Sequence, residues 1–291
     1  MKGDRHMLRL GLIALLATPA MAQDSLPLAD LMSATHVHGI GPGPGGPDSL
    51  TLATHNGLWS VDLESGTATR LGGSQDDFMG YSAVLTSPGT AFASGHPATG
   101  GNMGVIRTND AGQSWTHVSD GLDGPVDFHN MEVSRADPSV IYGIGHDRRV
   151  QRSADGGVTW EETGEAPEKL IDIATAHGDA AQLYAATEGG LFLSPDGGAT
   201  WQPVIEGVPV STVDAGADGV VRAVDLSQGL VTLGKGGEVT PVATDLPDGY
   251  LLFLATTSVD PLRLAALSAK GRLVLSRDGG ASWTDAVSTA P

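Results

Sequence analysis

The sequence predicts an all-β chain folded as a six-bladed β-propeller. Three observations predict it: an eight-residue phrase recurs at a nearly fixed interval, glycine and proline are frequent (41 and 17 in 291 residues), and no long helical apolar pattern appears in the body of the chain. The phrase reads Thr108-Asn-Asp110-Ala-Gly112-Gln-Ser-Trp115, then Ser153-Ala-Asp155-Gly-Gly157-Val-Thr-Trp160, Ser194-Pro-Asp196-Gly-Gly198-Ala-Thr-Trp201 and Ser276-Arg-Asp278-Gly-Gly280-Ala-Ser-Trp283. Its aspartates are 45, 41 and 82 residues apart, and the last interval is twice 41. A worn copy is therefore expected near residue 237, where Gly234-Lys-Gly-Gly-Glu-Val-Thr240 stands. One period before Asp110, Asp62-Leu-Glu-Ser-Gly66 keeps an aspartate and a glycine without a tryptophan. Six units of about 40 residues match the length of a four-stranded propeller blade.

Each copy reads as a hairpin turn. The Ser or Thr ends one strand, and the Asp accepts hydrogen bonds from its own turn. The Gly step supplies positive φ without steric cost, and the Trp opens the next strand and packs between units. Asp110, Trp115, Asp155, Trp160, Asp196, Trp201, Asp278 and Trp283 are thus structural residues. The pattern resembles the Asp-box, or BNR repeat, of sialidases and sortilin (Vps10-like) receptors. That resemblance implies a fold, since the box serves enzymes and non-enzymes alike.

Residues 1–22 read as a secretory signal. Lys2, Arg5 and Arg9 form a basic start, Leu10 to Ala17 an apolar core, and Ala20-Met21-Ala22 a small-x-small cleavage site. The expected mature protein is periplasmic, cleaved near Ala22, with a leader over 23–34 and one propeller domain over 35–291. The apolar run is too short to span a bilayer, so no membrane association is expected. There is no cysteine, hence no disulfide and no lipid-anchoring thiol. The formal charge of −18 argues against nucleic acid or an anionic membrane as partner.

The blades are expected at about 36–71, 79–118, 126–163, 170–205, 210–243 and 251–287, with no helix outside the signal. The second strand of each is clearest, as in Leu50-Thr-Leu-Ala-Thr, Ala91-Phe-Ala-Ser-Gly and Val140-Ile-Tyr-Gly-Ile-Gly. There a large residue is followed by small ones, which suits crowded strands near the axis.

The histidines follow the repeat. His36 and His38 open the innermost strand of blade 1, and His129 opens that of blade 3. His55, His96 and His146 each end the second strand of blades 1, 2 and 3; blade 4 has Glu188 in the same place. The first two strands of a blade are antiparallel, so the start of one and the end of the next share a rim. All six imidazoles are expected on that rim, opposite the repeated turns. His36 and His38, two apart on a strand, are expected to point the same way. Neutral imidazoles in such numbers suit a transition metal, copper first and zinc second. Asp127 and Asp147 are candidate carboxylate partners, and Met79, Met103 and Met131 lie in the same blades. His117 and His177 read as surface.

The repeat invites comparison with enzymes. The sialidases it resembles use an arginine triad, a Tyr–Glu pair and an acid Asp, and the chain lacks the Arg-Ile-Pro-type motif that opens that family's site. A glycoside hydrolase needs two carboxylates across a cleft; Asp127, Glu132, Asp172 and Glu188 are expected to face the channel, with Asp127 and Glu188 the candidate pair. The chain also resembles a group of bacterial exported proteins sharing His36-Val-His38-Gly39, Ala53-Thr-His55-Asn-Gly-Leu58, Asp127-Phe-His129 and the boxes. That group carries labels such as glycosylhydrolase, exo-alpha-sialidase or sortilin-like. The leading expectation is a non-catalytic protein that binds a metal ion or small ligand on its His-rich face. A glycan-binding or glycan-cleaving protein and a sortilin-like scaffold for a peptide or protein partner are the alternatives.

Overall fold

The computed structural model describes residues 24–234, 237–260 and 262–286. The expected signal, residues 1–22, lies outside them. The described chain forms six antiparallel sheets, and the innermost strands meet in a closed ring in chain order, with the sixth against the first. It is a six-bladed β-propeller. Those innermost strands are Val37–Pro42, Asp77–Ala83, Asn130–Val133, Leu170–Thr175, Val210–Ala215 and Leu251–Val259. Blades 4 and 5 match their expected spans closely, and the others shift by a few residues.

The repeated phrase does what its chemistry predicts. In all four intact copies one carboxylate oxygen accepts from the hydroxyl two residues earlier and from the backbone N–H four residues later. The other oxygen accepts from the hydroxyl just before the Trp, Ser114, Thr159, Thr200 or Ser282, at 2.5–2.7 Å. These hydrogen bonds, led by that hydroxyl, pull Asp110, Asp155 and Asp278 down to about 2. The worn copy in blade 1 keeps part of the turn, with Asp62 accepting from the Glu64 and Ser65 N–H groups. The worn copy of blade 5 falls partly outside the described residues.

The core is divided by seam. Six apolar clusters lie between successive blades, one per seam. Trp115, Trp160, Trp201 and Trp283 border the seams 1/2, 2/3, 3/4 and 5/6, each packing where its blade meets the one before. Two seams lack such a tryptophan, 4/5 and 6/1, and they belong to the blades with worn copies. Seam 4/5 closes with aliphatic residues, among them Val204, Val208 and Val239.

Seam 6/1 is closed by the leader, where the structure corrects the expectation of no helix. Ser25–Pro27 pairs antiparallel with Thr67–Leu71 and adds a fifth strand to the edge of blade 1. Leu28–Ala34 then forms a short helix. Its Leu28 and Leu31 are buried in one cluster with Leu273, Leu275 and Ala286 of blade 6. Seven residues hold too little periodicity to be read as a helix from sequence. The burial of two leucines beside Trp59, in a seam without a tryptophan of the repeat, accounts for this one.

Candidate metal-binding rim

A β-bulge stands at the same rim in five blades, within the pairing of the first two strands. A bulge re-aims the side chains around it. In blade 1 it falls between Val37 and Gly39, at His38. His36 and His38 consequently do not form a simple chelating pair. Each ring instead meets His55 edge-on, at centroid separations of 5.5 and 4.2 Å.

The imidazoles gather in two groups. The first joins His38 and His55 of blade 1 to Asp77, the first residue of the innermost strand of blade 2. The second joins Asp127, in the lead-in to blade 3, to His129 and His146. Within each group, one potential ligand atom per residue lies within 4.8 Å of the others. His96 touches the second group through Asp127 at 3.2 Å. His36 is in neither group, but its ring meets His55 and its charge, like that of His129, adds to the burial that lowers the His38 pKa.

The first group is polar, partly buried and incompletely satisfied. His55 Nδ1 lies 2.6 Å from Asp77 Oδ2. An ionised carboxylate only accepts, so this nitrogen carries a proton, which leaves Nε2 as the atom able to ligate when the ring is neutral. His38 Nε2 and Asp77 Oδ1 are 3.6 Å apart, both buried, and neither has a hydrogen-bond partner. Burial, reinforced by the neighbouring His55, lowers the His38 pKa against the pull of Asp77. The neutral ring is the form that ligates a metal. In the second group, His129 Nε2 donates to Asp127 Oδ2 at 2.9 Å, and Asp127 Oδ1 is buried without a partner. The His129 and His146 rings lie 3.9 Å apart, tilted by 52°.

The other expected partners are engaged elsewhere. Asp147 is not part of the group that holds His146; its Oδ2 receives Arg149 Nε at 2.6 Å. Met79 and Met131 line the central channel together with His38, His129 and His146, and Met103 packs on the seam 1/2 cluster. His117 is a surface residue 2.9 Å from Asp120. His177 is not simply surface: it lines a second cavity, of about 300 Å³, at the opposite mouth.

Below the rim lies a channel cavity of about 500 Å³ reached by all six blades. His38, His129 and His146 line its mouth, and Glu132, Asp172 and Asp214 lie deeper. Each of these three carboxylates fastens two blades. Glu132 accepts from Ser82 of blade 2, Asp172 from Thr212 and the Val213 N–H of blade 5, and Asp214 from Thr256 of blade 6. Burial pushes Glu132 up to about 7 although Arg135 stands 2.8 Å away, and pushes Asp172 up to about 6. Asp214 is raised for the same reason. Asp214, unlike Glu132 and Asp172, is not evident from the sequence, because nothing in Val213-Asp-Ala215 marks an inward acid except strand alternation.

The candidate glycosidase pair is not assembled. Asp127 is held by two imidazoles at the rim, and neither it nor Glu188 lines the channel. Glu188 is exposed and its Oε2 is 2.6 Å from Lys169 Nζ.

Fold and rim together define an Asp-turn β-propeller with histidine–carboxylate groups at one mouth. No family model matches the chain. It is similar to vacuolar protein sorting/targeting protein 10 of Colletotrichum graminicola, 30% identical over 87 residues, which span 29% of this chain and 6% of that protein. Among solved structures it is similar to the GH74 xyloglucanase from Xanthomonas campestris, with a TM-score of 0.59 and 16% identity over 92% of this chain and 47% of that one. It is also similar to the Cps50 (Swd1) β-propeller domain of Myceliophteria thermophila, with a TM-score of 0.56 and 13% identity over 86% of this chain and 85% of that one. The chain thus spans less than half the length of the xyloglucanase and a small part of the sorting protein. At these identities the likeness to solved structures is one of fold, shared by enzymes and non-enzymes.

Proposed function

We propose that this protein binds a divalent transition metal at the histidine rim and acts as a binding protein rather than a glycosidase. The observation that carries the reading is the pair His38 Nε2 and Asp77 Oδ1, both buried, 3.6 Å apart and without partners. A buried carboxylate oxygen and an imidazole nitrogen left unpaired are costly, and a cation between them satisfies both. An ion about 2.0–2.1 Å from each ligand atom holds tetrahedral neighbours about 3.3–3.4 Å apart. Imidazole and carboxylate donors without sulfur favour Cu(II) or Zn(II) over Cu(I), and Cu(II) heads the affinity order for such sites. The signal-like N-terminus supports export to the periplasm, where such an ion is encountered outside the cytosol.

The test is metal analysis and titration of the purified protein with its His55→Ala and His129→Ala variants. Binding of Cu(II) and Zn(II) that is unchanged in both variants sinks the reading. EDTA-resistant turnover of chromogenic glycosides, lost in Asp127→Ala or Glu188→Ala, would restore the glycosidase alternative.

A further inference from the structure

We propose that the axial channel is a binding site for a small aliphatic diamine, with its ammonium groups held by Asp214 and Asp172 below the histidine rim. The site is separate from the metal groups and does not depend on them.

The cations around the channel are already engaged. Arg135 Nη2 lies 2.8 Å from Glu132 Oε1. Arg222, 3% exposed, meets Asp218 with both terminal nitrogens, at 3.0 and 2.6 Å. Arg148 and Lys169, which also line the channel, are ion-paired with Glu165 and Glu188. Asp172 and Asp214 are left with neutral partners only, hydroxyls and backbone N–H groups.

Asp214 is the sharper case. It is 6% exposed and lines the channel. Its Oδ2 accepts both the Thr256 N–H, at 3.0 Å, and the Thr256 hydroxyl, at 2.7 Å. Among the described residues no donor reaches Oδ1, which leaves that oxygen to the cavity. A carboxylate so far removed from water is costly without a countercharge. Burial raises the pKa of both aspartates, and the charge of Asp214 adds to the rise at Asp172. The two are also linked through the chain. Asp172 accepts from Thr212, two residues before Asp214 on the same innermost strand, so the two acids are neighbours along one side of the channel.

The countercharge that fits is organic. Among the described residues, Glu132, Asp172 and Asp214 do not converge into a group of ligand atoms within 4.8 Å of one another, as the rim residues do. A single ion therefore has no cage there. Tyr81, Met131, Ile173 and Leu254 line the same cavity and supply apolar wall. A volume of about 500 Å³ is that of a small-molecule site, mostly apolar with a few placed polar groups. An ammonium donates three hydrogen bonds and accepts none, which suits an unpaired carboxylate oxygen. A short methylene chain then lies on the apolar wall and carries a second ammonium to Asp172. The net charge of −18 favours the approach of such a dication.

The experiment is calorimetric titration of the purified chain with 1,4-diaminobutane, in phosphate buffer with EDTA at neutral pH. One molecule is expected to bind per chain, and the uncharged isostere 1,4-butanediol is expected not to compete. Asp214→Asn and Asp172→Asn keep an acceptor oxygen for the interblade donors and remove the charge. Each should weaken binding at least about 10-fold, the lower side of what losing one partner of a buried charge pair costs. Glu206→Gln, an exposed acid on an outer strand, should bind as the parent does. If one channel variant loses the parent's urea midpoint, the other carries the test. No binding of the diamine overturns the proposal, as does equal binding of the diol. Affinity unchanged in a folded channel variant, or lost equally in Glu206→Gln or to added Mg(II), reduces the effect to general counterion attraction and overturns it too. None of these outcomes touches the metal reading, and failure to bind Cu(II) or Zn(II) leaves the diamine site standing.

Discussion

His38 Nε2 of blade 1 and Asp77 Oδ1 of blade 2 face each other across a seam at 3.6 Å, buried and without other partners. The contact means that the proposed ion site would draw its ligands from two blades. Asp77→Asn keeps the shape and removes the charge. It should weaken Cu(II) or Zn(II) binding at the first group by at least about 10-fold, measured by calorimetric titration at neutral pH. Unchanged affinity would show that Asp77 serves only to orient His55.

The channel carboxylates make a prediction about pH. Burial raises Glu132 from 4.5 to about 7 and Asp172 from 3.8 to about 6. Between these limits the folded protein holds protons that the unfolded chain has lost. Their stabilising contribution is complete below about pH 4 and is lost as pH rises through 7. For Glu132 alone the span corresponds to roughly 3 kcal/mol. Glu132→Gln should flatten the fall in urea midpoint between pH 5 and 8. An equally steep fall in that variant would refute the assignment.

The aspartates of the repeated turns act in the opposite direction. Asp110, Asp155 and Asp278 are held at about 2 by hydrogen bonds from the turn. What they contribute is present above about pH 4 and lost as pH falls toward 2. Ser114→Ala should reduce the acid sensitivity of its turn, read as a smaller loss of thermal midpoint between pH 4 and pH 2.5 than the parent shows.

Ala111 occupies the position that is Gly in the other three intact copies, and it is held at φ 57°. A non-glycine residue in the left-handed region costs about 1–2 kcal/mol, partly offset by the greater unfolded-state freedom of glycine. Ala111→Gly should therefore stabilise the protein by about 0.5–1 kcal/mol, seen as a higher urea midpoint at constant slope.

Leu31 of the leader helix is 2% exposed and packs in the cluster between blades 6 and 1. Leu31→Ala should cost about 2–5 kcal/mol. Deleting residues 24–34 should cost more, because it also removes the edge strand. A variant without Leu31 that unfolds at the parent's midpoint would show that the leader is not what closes seam 6/1.

Much of this was legible in the chain. Asp110 to Trp115 and its copies reveal period, blade count and turn chemistry, because those depend on residues within one turn of each other. The worn copies at Asp62 and Gly234 follow from the same arithmetic. Antiparallel pairing of the first two strands is enough to place the six histidines on one rim. The hydroxyls of Ser114, Thr159, Thr200 and Ser282 were present in every copy but reveal their role only in the folded turn.

Other features depend on which blade meets which. Asp77 joins His38 and His55 only because blade 2 packs on blade 1, and His96 reaches Asp127 only because blade 2 leads into blade 3. The gathering of four of the six imidazoles into two groups, the bulge at His38, and the diversion of Asp147 to Arg149 and Glu188 to Lys169 have the same origin. So does the leader helix, whose leucines fill a seam made by the two ends of the described chain. The sequence by itself determined the repeat, the turns and the rim, since hydrogen bonding within a turn and strand alternation are local. The tertiary structure alone decided the partners, because they are set by register and packing between strands that sequence spacing does not relate.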